Sequence, residues 1–397
     1  MNSNYEQALK WYAKAADMGN AEAQYKLGKI LVETGKLEEG EKYLRLSAKQ
    51  GNNEADELLA KFFGECLVFE SPEQFSILAS KRWDGVIEYS LDRINWQEWD
   101  GEKITSKNNV IYMLGYNNTV ITGDGKAEEI SWRFEETSEL ICRGNIEVLL
   151  DYRLVCSGTH PKMNAGCYAY MFLKCRSLKE APVLPATKLA NFCYNGMFSG
   201  CISLKEAPQL PATNLADVCY SSMFANCKSL KEAPELPANK LVLGCYDTMF
   251  FGCTSLEEAP ELSATQLAPA CYDMMFSGCT SLKEAPELPA TKLVFRCYTK
   301  MFSGCTSLKK APELPAIKLA KDCYSDMFRD CTSLKEAPAL PATKLADFCY
   351  DGMFSGCISL KEVPKLSAKK LAKYDCSSIF DICDSEKVLG KLILHIQ

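Results

Sequence analysis

Cys193-Tyr194-Asn195-Gly196-Met197-Phe198-Ser199-Gly200-Cys201-Ile202-Ser203-Leu204 is followed, 26 residues on, by Cys219-Tyr220-Ser221-Ser222-Met223-Phe224-Ala225-Asn226-Cys227-Lys228-Ser229-Leu230. The step holds without insertion. One cysteine column runs Cys167, Cys193, Cys219, Cys245, Cys271, Cys297, Cys323 and Cys349. A second runs Cys175, Cys201, Cys227, Cys253, Cys279, Cys305, Cys331, Cys357 and Cys383. A fixed period of this size marks a repeat array, in which no unit buries its apolar face alone and neighbours must stack. Nine units fill the C-terminal two thirds of the chain.

Each unit reads as a helical half and an extended half. In Thr343–Phe354, Leu345, Cys349, Met353 and Phe354 share one helix face. Thr343 suits an N-cap, and Ser355-Gly356 suits a helix end. Ser359-Leu360-Lys361-Glu362-Val363-Pro364-Lys365-Leu366 reads as a short strand, because its proline lacks a ladder donor. Stacked strands at roughly 4.8 Å per unit would make a curved solenoid about 45 Å long. The last unit is degenerate, with Asp375 in place of the first cysteine, Cys376 in place of the tyrosine and Ile379 in place of Met. It reads as a cap, and the tail Val388–Ile396 as the closure of the open edge.

The Met-Phe-x-Gly-Cys-x-Ser-Leu block, as in Met301 to Leu308, resembles the BspA-like leucine-rich repeats of bacterial surface and secreted proteins. The resemblance covers about residues 160 to 390. It departs in a slightly long period and in a Leu-Pro-Ala-Thr segment. It implies adhesion or binding of host proteins.

Upstream, Trp11-Tyr12-x-x-Ala15-Ala16-x-x-Gly19-Asn20-x-x-Ala23 is echoed 32 residues later by Tyr43-Leu44-x-x-Ser47-Ala48-x-x-Gly51-Asn52-x-x-Ala55. The run from Ala8 to Gly28 resembles Sel-one-like repeats of the tetratricopeptide type, which implies an adaptor scaffold. A plain helical cap is the competing reading. The first helix matches the second helix of a pair, which suggests either a truncated start or an array reduced to a remnant.

Residues 65 to about 152 change character. Val86–Ser90, Val110–Leu114 and Ile130–Phe134 read as strands, with turns at Asp84-Gly85, Asp100-Gly101 and Asp124-Gly125. Four of the five tryptophans lie here, Trp83, Trp96, Trp99 and Trp132. They suit either a small β core or a sugar-stacking surface. The expected architecture is therefore multidomain. A short α-helical repeat segment (1–64) and a small antiparallel β domain (65–152) precede a leucine-rich-repeat solenoid (153–397), with strand plus helix in each repeat.

Composition narrows the function. Of 397 residues, 47% are apolar and 24% charged, which fits a globular chain. Net charge is −6 and no Lys/Arg run reaches five, so nucleic acid is an unsuitable partner. No apolar stretch is long enough to span a membrane. The chain opens without a secretory signal, so it is expected in the cytoplasm, or at the cell surface if its start is truncated. That compartment favours free, buried cysteines over disulfides, and Cys-x7-Cys is not a zinc spacing. No phosphate loop, HExxH or nucleophile elbow occurs. His160 near Cys156 is the one local thiol–base candidate, on weak spacing. No enzyme activity, cofactor or metal is expected.

The expected role is a non-enzymatic scaffold for protein–protein interaction. The alternative is a surface adhesin for a host protein or, as a weaker candidate, a glycan. The exposed strand positions supply the candidate surface: Lys205, Lys231, Lys283 and Lys335 in one column, with Glu206, Glu232, Glu284 and Glu336 in the next. Glu257 and Lys310 break the two columns. Strict alternation would send the two columns to opposite sides. Size and charge vary most at pairs such as Asn191-Phe192, Leu243-Gly244, Phe295-Arg296, Asp247-Thr248 and Thr299-Lys300.

Overall fold

The computed structural model describes residues 3–123, 125–362, 364, 366–368 and 379. Asp124, Asp375, Cys376, Cys383 and the tail Val388–Ile396 lie outside the described residues. Four helices come first: α1 (Ser3–Asp17), α2 (Ala21–Glu33), α3 (Leu37–Ala48) and α4 (Asn53–Phe63). The echoed asparagines cap two of them. Asn20 Oδ1 accepts from the Ala23 amide at 2.8 Å, and Asn52 Oδ1 from the Ala55 amide at 3.0 Å. Helices α2 and α3 approach closely, because a Cβ on Gly28 would lie 2.8 Å from Leu44 Cγ.

The next segment forms β1 (Leu67–Glu70), β2 (Ser76–Leu78), β3 (Val86–Ser90), β4 (Trp96–Glu98), β5 (Ile104–Thr105), β6 (Val110–Tyr116), α5 (Ala127–Ile130), β7 (Arg133–Glu135), β8 (Leu140–Arg143) and α6 (Val148–Cys156). The strand expected at Ile130–Phe134 is corrected: Ile130 ends α5, and only Arg133–Glu135 pairs. The Trp132 amide instead donates to Met171 O at 3.0 Å. One sheet runs β4-β3-β6-β1-β8-β9 and a second β5-β2-β7. Strand β9 (Leu178–Glu180) belongs to the first repeat and pairs parallel with β8. All other pairings in these sheets are antiparallel. One hydrophobic core runs from Leu67 through the repeats to Ile379. No described helix is long and apolar enough to cross a membrane.

The expected helix in each repeat is not there. From Asn191 to Cys201 the chain forms overlapping turns. Cys193, Asn195, Met197, Ser199 and Cys201 each donate an amide to the carbonyl three residues back. The intervening Tyr194, Gly196, Phe198 and Gly200 donate across to Cys219, Ser221, Met223 and Ala225 of the next repeat at 2.7–3.0 Å. Every fourth residue is left-handed: Phe192 at φ +59°, Gly196 at +58° and Gly200 at +78°. Two residues then point in and two point out. This period of four mimics a helix face in the sequence. The ribbon prevails because half its donors join neighbouring repeats, whereas a helix would spend them all within one repeat. Thr343 is accordingly no N-cap; its amide donates to Ile317 O at 3.0 Å.

Two ring columns line the interior of the ribbon. Tyrosine centroids from Tyr168 to Tyr350 step by 5.6–6.0 Å. Phenylalanines from Phe172 to Phe354 step by 5.5–5.8 Å. These steps exceed the expected strand spacing, because rings and turns set them on this side. The extended half is reduced to isolated parallel bridges after β9, for example Glu232 with Glu258 and Lys310 with Glu336. Its prolines, such as Pro312 and Pro315, remove the donors that a continuous ladder needs.

Candidate interaction surface

The cysteine columns are structural, and they are not equivalent. In the second column, Cys201, Cys227, Cys253, Cys279, Cys305, Cys331 and Cys357 each donate the thiol to the phenylalanine carbonyl 29 residues back, at 3.0–3.2 Å. That carbonyl also accepts the amide of its own repeat's cysteine, as Phe276 does from Cys279 at 3.0 Å. The described cysteines are free, and the array's are buried. Burial pushes the Cys253 and Cys297 thiols up to about 12. Such thiols are poor nucleophiles and poor metal ligands.

The loose thiol–base candidate does not assemble. His160 Nδ1 lies 2.7 Å from Glu147 Oε2, a carboxylate that is almost fully buried. Burial raises the Glu147 pKa, and His160 pulls against it. Cys156 lies instead against Gly64, where an added Cβ would meet its Sγ at 2.6 Å. Three of the four clustered tryptophans present no face to a sugar, while Trp96 is half-buried. Trp83, Trp99 and Trp132 are buried, with Trp83 stacked on Trp99 at 4.9 Å and Trp132 edge-on to Trp99 at 4.9 Å.

All eight candidate residues of the charged columns are exposed. Contrary to strict alternation, both columns line the same troughs, because the prolines break the pleat. Lys205, Glu206, Lys231 and Glu232 border one of about 580 Å³, floored by Ala207, Ala233 and Pro234. Lys283 and Glu284 border another of about 670 Å³, with Lys309, Lys310, Leu288 and Pro312. Glu336 borders a third of about 370 Å³ that shares Lys310 and Pro312 with the second. Lys335 stands beside these troughs without lining them. Lys283 pairs with Glu257 across neighbouring repeats. Among the described residues, Lys205, Lys231 and Lys335 have no carboxylate within ion-pair distance. No group of three or more metal-ligating side chains gathers among the described residues.

The outward pairs of the turn ribbon form a second face, which the sequence did not single out as a surface. It carries the variable pairs, including Asp247 and Asp273 on adjacent repeats. Asp273 Oδ2 meets Arg296 at 2.7 Å. Asp273 Oδ1 is buried and has no partner among the described residues. Burial pushes Asp273 up to about 6 against the pull of Arg296. Burial and the neighbouring Asp273 push Asp247 up to about 7.

A family model described as BspA type Leucine rich repeat region matches residues 166–283 and 271–383, in six copies. Neither the curated proteins nor the solved structures contain a match.

Proposed function

The chain belongs to the BspA-type leucine-rich repeat family, and we propose that it is a non-enzymatic scaffold that binds another protein along its repeat solenoid. One observation carries this reading. The exposed Lys and Glu columns share a series of open troughs with apolar floors, repeated along the array. An extended partner segment would lay aliphatic groups on the alanines and prolines and pair its charges with the rims. Rim charges of this kind steer association and set register more than they add affinity. The N-terminal helices, which resemble Sel-one-like repeats, extend the scaffold reading over residues 1–64. The β segment 65–152 joins them to the array at 153–397.

The test is photo-crosslinking from the trough floor. A benzoylphenylalanine at Ala233 should give discrete protein adducts in lysate. The charge reversals K205E and K231E together should remove them and leave the fold intact. Adducts that persist unchanged in that variant, or their complete absence, would overturn the ribbon as the contact surface.

A further inference from the structure

On the outward face of the turn ribbon, Leu243, Pro269 and Phe295 occupy one column on three successive repeats. Hydrogen bonds fix the succession: the Val218 amide donates to Leu243 O at 2.9 Å, the Gly244 amide to Pro269 O at 3.0 Å and the Ala270 amide to Phe295 O at 3.0 Å. All three side chains are exposed. The same column is polar on either side, with Asn191 and Asp217 before and Lys321 and Asp347 after. An apolar centre with a polar rim is the composition of a contact surface.

The fold itself favours polar residues there. Asn191 Oδ1 accepts the Asp217 amide and Asp217 Oδ1 the Leu243 amide, each at 3.2 Å. Leu243 cannot accept for the next repeat, but Pro269 has no amide to satisfy. The apolar column is thus accommodated by the fold without being required by it. Departures from local structural preference of this kind concentrate at functional sites.

Beside the stripe lies an unpaired acid. The part-buried Asp247 carboxyl has no hydrogen-bond or ion-pair partner among the described residues, and a Cβ added at Gly244 would lie only 3.9 Å from Asp247 Cβ. Behind it, the buried Asp273 Oδ1 is also without a partner. Arg296, the nearest cation, is engaged by Asp273 Oδ2.

We propose that Leu243, Pro269, Phe295 and Asp247 form a docking surface for a protein segment that presents an apolar side chain next to a lysine or arginine. The apolar group covers the stripe, and the cation enters beside Gly244 to pair with Asp247. This rests on the scaffold reading above and assigns it a second face, distinct from the Lys/Glu troughs.

The array supplies its own controls, because residues found in that column elsewhere are compatible with the fold. The probe is a fluorescein-labelled peptide of repeating Phe-Arg-Gly-Leu-Lys-Gly, followed by anisotropy with the full chain. A second peptide carries Glu in place of Arg and Lys. The basic peptide should bind saturably and the acidic one should not. L243N with F295K should weaken binding by about tenfold or more, and D247N by several-fold. K205E with K231E, the trough variant, should leave peptide binding unchanged. Equal binding of the two peptides, or full binding by L243N/F295K, would overturn the assignment. If those results came with trough adducts still forming in lysate, the scaffold reading would stand and this surface alone would fall. Loss of peptide binding in the trough variant would also overturn the assignment, by placing the contact on the other face.

Discussion

At the scale of the residue, the cysteines and the two stacked aspartates make the sharpest predictions. Burial raises the array thiols so far that thiolate is scarce at neutral pH. Thiol titration of the native protein should therefore report Cys156 rapidly and the sixteen described array cysteines, all buried, only on denaturation. Rapid native labelling of the array would refute the stacked columns. The aspartates set a pH dependence. Asp247 and Asp273 hold protons up to about 7 and about 6, against an ordinary 3.8. Their folded values are raised, so their contribution is fully present below pH 3.8 and is lost as pH rises through 6 to 7. Urea melts should show the wild type losing stability between pH 5 and pH 8. D247N should reduce that slope and gain on the order of 1 kcal/mol at pH 8, discounted for partial exposure. An unchanged slope would mean that Asp247 is solvated.

At the scale of the element, the turn ribbon depends on left-handed residues, and glycine serves only some of them. Val218, Ala270, Arg296 and Phe348 take φ of +53° to +59° in the position that Gly244 fills on another repeat. Their strain is tolerated because hydrogen bonds on both sides fix the backbone. Gly278, at φ +77°, has ordinary contact distances around an added Cβ, 3.5 Å to Gly252 Cα at the nearest. G278A should therefore cost only the conformational strain, about 1–2 kcal/mol. Gly115 in β6 differs, since a Cβ there would collide with the Leu149 carbonyl of the α6 segment. G115A has to move backbone, so it should cost clearly more than G278A in the same thermal melt. The reverse order would mean that β6 and α6 are not in contact.

At the scale of the whole molecule, the β segment serves as the missing repeat at the front of the array. Phe134 continues the phenylalanine column by stacking on Phe172 at 5.4 Å and 9°. The Ile121 amide donates to Cys167 O at 2.9 Å, Trp132 to Met171 O at 3.0 Å and Leu140 to Ser177 O at 2.8 Å. The bonds to Cys167 and Met171 match those that each repeat makes to the cysteine and methionine of the next, as Tyr194 does to Cys219 and Phe198 to Met223. At the other end, Ile379 O accepts the Phe354 amide at 2.9 Å, as the methionine carbonyl does between earlier repeats. In a stacked array stability passes between neighbours, so a lesson at one end stays there. F276A, at a fully buried ring, should cost about 3–5 kcal/mol, with hydrogen-exchange protection lost over the central repeats. F134A, at a half-buried ring, should cost less, with protection lost first around Tyr170 and Phe172. Identical exchange maps for the two variants would argue against nearest-neighbour coupling.

The period, the in-register columns and the exposure of the Lys and Glu columns are written in the sequence alone. All of these follow from which residues recur and which are apolar. The sequence did not determine the conformation within a repeat. Cys349, Met353 and Phe354 satisfy a helix face and a period-four turn ribbon equally well, and only the stacked neighbour decides between them, by offering carbonyls to alternate amides. The two interaction faces divide in the same way. The Lys and Glu columns were legible because identical residues repeat along the chain. The stripe of Leu243, Pro269 and Phe295 and the unpaired Asp247 were not, because single variable positions become a surface only when stacking sets them side by side.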